Sequence, residues 1–415
     1  MTARLRAFLD AGLPNHFPPV DAGPVVVGMS GGVDSSVAAW ILRELGYEVI
    51  GITAHLFGGF GDTRSHQGCC SLPGSEDARR VAAHLDIPFY VLNLTNDFKA
   101  NVLDYFASSY LAGETPNPCV ECNRGVKFDV LLRRAEQLGA AWLATGHYAR
   151  IVDDGLVRQL AVAADDTKDQ SYFLYFLDQL LLLRLGFPLG NLTKLQVREI
   201  ATEAGLPVAD KAESQDLCFA PDRNYAAVVE HLRPGESRPG PILTATGECL
   251  GEHQGLIHYT VGQRKGMGIA AEAPLFVLRK EPASNALIVG FAEDLPVSRV
   301  WVRDFVRTDG GDDTQPFQCE FRPRYRGPRV AADCTPHAGG RLQVDYHTPH
   351  EIPAPGQVAV CYVDDRIVGG GIVDHPWRAA KTMDPPRRRR RPSLSPQTPK
   401  RRVAENPWIP ASPSL

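Results

Sequence analysis

Apolar runs and amphipathic segments alternate along the first half of the chain. Short runs of consecutive apolar residues are typical of buried strands, and apolar positions that recur every three or four residues indicate helices. We predict strands over 25–27, 49–53, 89–92 and 142–145, and helices over 35–45, 76–85, 98–110 and 126–138, with a mostly helical stretch over 170–206. Alternation of this kind predicts a doubly wound parallel sheet that binds its ligand at the carboxyl ends of the strands.

Beyond about Pro234 the pattern changes to short β-like runs that Gly and Pro separate, which predicts one or two small β-barrels. The β-like runs are LFVLRK, ALIVGF, RVWVRDF, FQCEFRPRYR, RLQVDY and QVAVCYV. The fold class is therefore α/β: a doubly wound parallel-sheet domain followed by a small central β-rich domain and a C-terminal β-barrel. The predicted domains are an N-terminal extension at 1–23, the α/β domain at 24–212, the central β-rich domain at 213–280, the C-terminal β-barrel at 281–375 and a tail at 376–415.

The composition is that of a large globular chain. Its 415 residues are 44% hydrophobic and 22% charged, which is enough for two or three domains with cores of their own. No apolar run approaches the roughly 18 residues of a membrane helix, and the first residues lack the long apolar core of an export signal. We therefore expect a cytoplasmic protein with no membrane partner. Nine cysteines in such a chain favour thiol or metal chemistry over a disulfide framework.

Charge is concentrated in the tail. The formal net charge is -4, but the residues after His375 carry ten Lys or Arg against two acidic residues, a net of +8 that leaves -12 on the rest of the chain. The tail is rich in Pro, Arg and Ser, and we expect it to be disordered. It is interpreted either as a dispensable solvated segment or as a non-specific RNA contact. A nucleic-acid partner does not follow from the overall charge and would need local basic patches.

A glycine turn joins the first predicted strand to the first predicted helix. The segment SGGVDSS at residues 30–36 follows the apolar run 25–27 and opens an apolar helical pattern. Glycines let the backbone approach a ligand closely, and the free N–H groups at the positive end of a helix attract an anion. The turn has neither the Lys of a Walker loop nor the GxGxxG spacing of dinucleotide folds. An ordinary strand-to-helix turn is the alternative.

A pair of cysteines follows an extended loop in TPNPCVECN at residues 115–123. Two prolines fix the backbone before Cys119 and Cys122. A CxxC pair can be redox-active, metal-binding or nucleophilic, and a zinc site usually needs two more Cys or His ligands. Downstream, Cys218 lies in SQDLCF at residues 214–219. The other cysteines are interpreted as ordinary residues: Cys69 and Cys70 as loop residues, and Cys249, Cys319, Cys334 and Cys361 as buried filler in β-like runs.

Seven motifs in order carry a resemblance to a known family. They are SGGVDSS, TPNPCVECN, ATGHYAR, KDQSYFL, SQDLCF, HYTVGQRKGMGI and APGQVAVCY. The first is similar to the PP-loop of ATP pyrophosphatases, and together they resemble the tRNA-specific 2-thiouridylases, the MnmA family, over about residues 24–374. The resemblance implies ATP-dependent 2-thiolation of the wobble uridine (U34) in tRNA(Lys), tRNA(Glu) and tRNA(Gln). ATP would adenylate the C2 oxygen, a persulfide sulfur would attack C2, and AMP would leave.

The resemblance also assigns a nucleotide site, residue by residue. Within residues 24–212 it implies ATP, with Mg²⁺, and Asp34 would hold the metal or orient the phosphates. The implied ATP-binding residues are Gly28, Met29, Ser30, Gly31, Gly32, Val33, Asp34, Ser35 and Gly146.

The implied catalytic residues are cysteines. Cys122, directly before Asn123, matches the family's first catalytic cysteine, and Cys218 matches the second, which carries the persulfide. Many members have Asp at the position of Cys119, where it is a proposed general base, so the base is in question in this chain. The alternative is an iron–sulfur cluster held by Cys119, Cys122 and Cys218, which would deliver sulfur to the same carbon. A cysteine desulfurase or a sulfur-relay protein would load the enzyme.

The resemblance further implies contacts to tRNA, with the C-terminal β-barrel as a tRNA-binding domain. Positive and aromatic side chains suit phosphate contacts and base stacking. Each implied contact also has an ordinary structural interpretation: a core histidine at 147, a polar helix start at 168–170 and a solvated strand face at 322–326. The implied contact residues are Asn117, Pro118, Cys119, His147, Lys168, Asp169, Gln170, Arg324, Tyr325 and Gln357.

Two rival functions stay open at this point. Amidotransferase-type synthetases and argininosuccinate synthetase share the PP-loop but do not need TPNPCxxCN with a distant SQDLCF. A non-catalytic RNA-binding protein could keep a vestigial PP-loop. The intact Gly31, Asp34, Cys122 and Cys218 argue against that second rival.

Overall fold

The computed structural model describes residues 17–57, 59, 72–213, 217–220 and 222–375. The predictions for Cys69 and Cys70, for most of the N-terminal extension and for the tail at 376–415 lie outside the described residues. None of the helices in the described part of the chain combines the length and apolar character that a bilayer span requires.

A parallel sheet of five strands forms the first layer, in the order β3-β2-β1-β4-β7. Alternate residues of β1 face opposite sides: Val25 and Val27 pack with Ile41 on one face, and Val26 packs with Leu131 on the other. Helices therefore cover both faces, which confirms the doubly wound α/β prediction. The strands are β1 Val25–Gly28, β2 Val49–His55, β3 Phe89–Asn93, β4 Trp142–Thr145 and β7 Leu185–Gly186.

The helices that surround this sheet lie where the apolar periodicity predicts them over 35–45, 76–85, 98–110 and 126–138. Two of them contain a π-helical turn, at Lys99–Leu103 and Asn123–Phe128. The helices are α1 Val33–Glu44, α2 Leu72–His84, α3 Thr95–Phe98, α4 Asp104–Leu111, α5 Pro118–Cys122, α6 Asp129–Gln137, α7 Gln179–Leu182, α8 Lys194–Glu203 and α9 Tyr225–Leu232, with 3₁₀ turns at Ser171–Leu174, Leu256–His258 and Ala292–Asp294.

The prediction that 170–206 is mostly helical was wrong. Only α7, α8 and one 3₁₀ turn are helical there, and β7 lies between them. Pro188 lacks a backbone N–H and Gly190 lies against the backbone of Ala149, where a Cβ atom would overlap the carbonyl oxygen. These residues interrupt a helix that the leucine-rich pattern alone would favour.

A second, four-stranded sheet forms the central domain, in the order β10-β11-β8-β9. Ile242, Val277, Leu287 and Val289 build its apolar core. Its strands are β8 Gly240–Thr244, β9 Cys249–His253, β10 Phe276–Glu281 and β11 Ala286–Gly290.

The C-terminal β-rich region is a closed six-stranded barrel, as predicted. The strand order is β12-β15-β14-β13-β16-β17, and pairing of β12 with β17 closes it. Its strands are β12 Pro296–Arg307, β13 Phe317–Arg322, β14 Val330–His337, β15 Arg341–Glu351, β16 Val358–Val363 and β17 Arg366–Val373.

A hairpin from the α/β domain extends the barrel sheet, which the sequence did not predict. Its strands are β5 Arg150–Asp153 and β6 Arg158–Ala161, and Ala161 pairs with Arg366 of β17. An ion pair supports the junction: Arg150 Nη2 lies 2.5 Å from Asp365 Oδ2. The hairpin follows directly from the loop after β4, so this junction places the barrel beside the carboxyl ends of the parallel strands.

Candidate active site

A cavity of about 700 Å³ opens at the carboxyl ends of β1 and β4. Its lining comes from separate parts of the chain: the glycine loop after β1, the loop after β4, the loop before α5, the segment around Lys168 and the barrel. This is the edge at which a doubly wound sheet binds its ligand. The sequence-predicted residues that line it are Gly28, Met29, Ser30, Gly32, Val33, Asp34, Ser35, Asn117, Pro118, Cys119, Gly146, His147, Lys168, Gln170, Tyr325 and Gln357.

The glycine loop wraps tightly around the start of α1. Gly31 has a φ of +71°, and a Cβ atom there would overlap the carbonyl oxygen of Gly74, so glycine is required. The Ser35 hydroxyl accepts a hydrogen bond from the Ser30 amide at 3.1 Å. A Cβ atom on Gly146 would lie 2.6 Å from the Ser35 nitrogen, so Gly146 lets the β4 loop contact the first helical turn. The free amide groups at the start of this twelve-residue helix can bind an anion.

Lysine side chains surround the glycine loop. The Lys194 ammonium donates to Asp34 Oδ1 at 2.6 Å and to Glu213 Oε1 at 2.9 Å. Lys168 donates to Glu213 Oε2 at 2.7 Å, and Lys211 donates to the Gly31 carbonyl oxygen at 2.9 Å. Burial would raise the pKa of the Glu213 carboxyl, but the hydrogen bonds from Lys168 and Lys194 lower it to about 2. Lys211 also pairs with Asp77, so each of the three ammonium groups beside the glycine loop has a carboxylate partner.

Sequence reasoning missed Lys194, Lys211, Glu213 and Tyr148. The Tyr148 hydroxyl donates to Asp34 Oδ1 at 2.9 Å. Tyr148 follows Gly146 and His147 in ATGHYAR, which was a usable signal. Lys194 lies 160 residues from Asp34 along the chain, and no local pattern marks such a contact.

The cysteine loop is held between the α/β domain and the barrel. The Thr115 amide donates to the Pro355 carbonyl oxygen at 2.7 Å, and Gln357 Nε2 donates to the Thr115 carbonyl oxygen at 2.7 Å. Pro118 then opens α5, where its missing N–H costs no helical hydrogen bond. Cys119 follows with an exposed side chain that lines the cavity.

Cys122 and Cys218 share one apolar environment. Cys122 is buried in the cluster that contains Phe98 and Phe106, and the half-buried Cys218 packs against the same cluster. Leu217, directly before Cys218, lines the cavity. Neither Cys122 nor Cys218 is itself among the residues that line the cavity; the fold brings both to the apolar cluster.

His147 is half-buried and lines the wall of the cavity. Its Nδ1 lies 2.7 Å from the Thr145 hydroxyl, and its ring packs near Phe128 and Phe187. Burial and the nearby Lys127 ammonium lower its pKa to about 3, so the imidazole is neutral at physiological pH. It can hydrogen-bond a ligand but does not add positive charge.

Not every predicted tRNA contact faces the cavity. Asp169 Oδ1 accepts hydrogen bonds from the Ala163 and Ser171 amides at 3.1 and 3.2 Å. Its carboxylate therefore binds the protein's own backbone. Arg324 is exposed but is not part of the cavity lining, whereas Arg326, which the sequence did not single out, lines it. Tyr325 packs on Phe173 with ring centroids 4.5 Å apart.

Models of three domain families match consecutive parts of the chain. They are described as a tRNA methyl transferase HUP domain at residues 23–222, a tRNA methyl transferase PRC-barrel domain at 229–291 and an aminomethyltransferase beta-barrel domain at 298–373. The order of one α/β domain and two β-rich domains agrees with the fold.

Three curated relatives share the name tRNA-specific 2-thiouridylase MnmA. The protein of Herpetosiphon aurantiacus is 48% identical over 350 residues, which are 84% of this chain and 98% of the relative. That of Moorella thermoacetica is 48% identical over 354 residues, 84% of this chain and 99% of the relative. That of Clostridium perfringens is 44% identical over 353 residues, 84% of this chain and 98% of the relative. The chain therefore belongs to the tRNA-specific 2-thiouridylase (MnmA) family of sulfur-transferring enzymes.

Proposed function

We propose that the protein uses ATP to convert wobble uridine (U34) of tRNA(Lys), tRNA(Glu) and tRNA(Gln) to 2-thiouridine. One observation carries this proposal: a single cavity is lined both by the glycine loop at the start of α1 and by the loop of Cys119. An activation step that needs phosphate contacts and a sulfur-transfer step that needs thiols can therefore act on one bound base.

In the first step the C2 oxygen of uridine attacks the α-phosphorus of ATP, and the bond to pyrophosphate breaks. The amides of Gly32 to Ser35 and the ammonium groups of Lys194 and Lys211 stabilise the negative charge that develops on the leaving pyrophosphate. The Asp34 carboxylate is a hard oxygen donor at the same place, so it fits a Mg²⁺ ion. Mg²⁺ would neutralise phosphate charge, and Asp34 would hold it.

In the second step the terminal sulfur of a Cys218 persulfide attacks C2, and AMP leaves with the C2 oxygen. The Cys122 thiolate then attacks the Cys218 sulfur, which releases 2-thiouridine and leaves a Cys122–Cys218 disulfide. A reductant restores both thiols, and a cysteine desulfurase or sulfur-relay protein reloads Cys218. Their shared packing against one apolar cluster supports this pairing.

Cys119 faces the cavity and is exposed, which suits a proton-transfer role beside the reacting base. The cluster alternative finds less support in this geometry. In the described part of the chain, the only three metal-ligating side chains whose ligand atoms lie within 4.8 Å of one another are in the barrel. Cys119, Cys122 and Cys218 do not form such a group.

Binding of tRNA would use surfaces on both sides of the cavity. We propose that residues 24–212 catalyse the reaction, that 213–280 connect the two outer domains, and that the barrel at 281–375 binds tRNA. Asn117, Pro118, His147, Lys168, Gln170, Tyr325 and Gln357 line the cavity where the anticodon base would enter. Arg324, exposed on the same turn as Tyr325, would contact the tRNA backbone. We place the reaction in the cytoplasm, where tRNA and ATP are both found.

The experiment is a pyrophosphate-release assay with purified protein and tRNA that lacks 2-thiouridine. We expect pyrophosphate only when ATP and this tRNA are both present; AMP stays on the C2 oxygen until a persulfide sulfur is supplied. The same tRNA with C34 in place of U34 is the matched substrate control. Equal pyrophosphate release with the C34 tRNA would contradict the wobble assignment, and release without any tRNA would contradict adenylation of uridine.

A further inference from the structure

Three cysteines converge inside the C-terminal barrel. Cys319, Cys334 and Cys361 are all buried, and their sulfur atoms lie within 4.8 Å of one another. The Cys319 and Cys334 sulfurs are 3.4 Å apart. These residues lie in the barrel core with Val302, Phe321 and Leu342, and they play no part in the proposed thiolation reaction.

The strand register explains the convergence. On β13, Cys319 lies between Phe317, which pairs with Cys334 of β14, and Phe321, which pairs with Cys361 of β16. The three cysteines therefore form a diagonal row across three neighbouring strands, and their side chains share the inner face of the barrel. Diagonal neighbours have Cα atoms about 7–8 Å apart, which is too far for a disulfide without backbone movement. The register favours three thiols around one point.

A fourth polar group faces the same region of the core. Tyr346 on β15 pairs with Ala332, two residues before Cys334, and its side chain is about nine-tenths buried. Its hydroxyl has no hydrogen-bond partner among the described residues. Leaving a buried hydroxyl without a hydrogen-bond partner is unfavourable, and core positions normally avoid it. If the three cysteines only filled space in the core, the lack of a partner for the Tyr346 hydroxyl would have no explanation.

We propose that Cys319, Cys334 and Cys361 bind one zinc ion as thiolates, with the Tyr346 hydroxyl in the fourth position. Sulfur ligands of a tetrahedral zinc lie about 3.8 Å apart because each Zn–S bond is about 2.3 Å long. Small side-chain rotations bring the observed sulfurs to that spacing. Binding forms three Zn–S bonds and releases the three thiol protons to solvent.

Charge selects zinc over monovalent copper, the other common ion of thiolate sites. Three thiolates with Zn²⁺ carry a net charge of -1, whereas with Cu⁺ they carry -2. The surrounding core is apolar, and burying the larger charge there is less favourable. The ion would join β13, β14 and β16 and stabilise the barrel independently of the catalytic cavity.

The test uses the full-length protein, reduced and freed of metal with a chelator, and titrated with Zn²⁺ against a chromophoric competitor. Cys361→Ala and Cys334→Ala are the test variants, and Cys249→Ser, an exposed cysteine of the central domain, is the matched control. Cys122→Ser separates this site from the catalytic thiols. We expect one tight Zn²⁺ per chain in the wild type, Cys249→Ser and Cys122→Ser. Both test variants remove a ligand itself, so their affinity should fall by more than the roughly 10–100-fold that the loss of a hydrogen-bond partner of a ligand costs.

A measurement on the wild type alone covers the case in which a core variant fails to fold. Co²⁺ in place of Zn²⁺ should give thiolate-to-cobalt charge-transfer absorption with the intensity of three thiolates, and Zn²⁺ should raise the Tm. Absence of tight Zn²⁺ binding in the wild type would overturn the proposal. So would unchanged affinity in Cys361→Ala, loss of the ion in Cys122→Ser alone, or binding of Cu⁺ but not of Zn²⁺.

Discussion

Lys194 Nζ lies 2.6 Å from Asp34 Oδ1, so an ammonium from α8 reaches the first turn of α1 and contacts the carboxylate of the glycine loop. The Lys194 side chain is only 12% exposed, whereas that of Asp34 is 34% exposed. The pair therefore fixes a partly open carboxylate at the place where the phosphates of ATP would bind. The contact brings residues from near the start and near the end of the segment 24–212 into one site.

Replacing Asp34 should stop adenylation without unfolding the protein. Asp34→Asn keeps the side-chain shape but removes the charge that would hold Mg²⁺, so we expect pyrophosphate release to fall by at least about a hundredfold, as for loss of one strong electrostatic contact. The Tm should change little because the side chain is partly open. Asp312→Asn, an exposed carboxylate of the barrel, is the control. Normal pyrophosphate release by Asp34→Asn would remove this residue from the nucleotide site.

Gln357 should matter for sulfur transfer because it holds the cysteine loop. Gln357→Leu loses the hydrogen bond to the Thr115 carbonyl oxygen and leaves that oxygen unsatisfied. The cost is about 1 kcal/mol, which corresponds to roughly a fivefold lower thiolation rate if the loop must be ordered for reaction. A single-turnover thiolation assay measures this rate. Gln343→Leu, which breaks a hydrogen bond to Asp345 elsewhere in the barrel, should leave the rate unchanged; an equal loss in both variants would mean a general effect on the barrel.

Lys280 gives the protein a pH-dependent stability. Burial lowers the pKa of its ammonium from 10.5 to about 7, although nearby Glu114 opposes the shift. Between these values the unfolded state binds a proton that the folded state lacks, so the free energy of unfolding should rise with pH, by at most roughly 1.4 kcal/mol per unit. Below about pH 7 both states hold the proton, so Lys280 no longer makes the free energy of unfolding depend on pH.

Lys280→Met should flatten that rise, since the variant has no proton to release at this position. Chemical unfolding at pH values from 6 to 10, a range set by the shift above, measures the slope in each protein. Lys265→Met, an exposed lysine of the same domain, is the control and should keep the wild-type slope. Identical slopes in wild type and Lys280→Met would contradict a buried, neutral lysine.

Cys119 separates the two sulfur routes. As a proton-transfer group facing the cavity, Cys119 should be replaceable by Asp, so Cys119→Asp should keep substantial thiolation while Cys119→Ala loses most of it. Iron and sulfide are measured after anaerobic purification in parallel with thiolation. A stoichiometric cluster in the wild type that vanishes together with activity in both variants would overturn the persulfide route.

The sequence predicted most elements of the fold because their patterns are local. Strand β4 agrees with the predicted range 142–145, and all six β-like runs contain strands. Strand β17 was missed because Gly369, Gly370 and Gly371 are unfavourable in strands. The barrel needs them: a Cβ atom on Gly369 would overlap the Val306 carbonyl oxygen, and one on Gly371 would lie 2.7 Å from that of Arg303.

The site was predictable only where a motif marked it. The glycine loop and Cys119 could be found from contiguous residues, but Lys194 and Lys211 reach that loop through folding. Four cysteines in β-like runs were predicted to be buried filler, and Cys249 contradicts this because it is exposed at a strand start. Cys319, Cys334 and Cys361 are buried as predicted, but their convergence depends on strand register, which the separate runs do not reveal.

The most direct test of the account is nucleoside analysis of tRNA after reaction with the purified enzyme, ATP, a cysteine desulfurase and cysteine. The nucleoside digest should contain 2-thiouridine, and mass spectrometry of oligonucleotide fragments of tRNA(Glu) should place it at position 34, with one AMP and one pyrophosphate formed per sulfur incorporated. Cys218→Ser should give none, and Cys249→Ser should give the wild-type amount. A methylated nucleoside, sulfur at another position, or thiolation that proceeds without ATP would contradict the account.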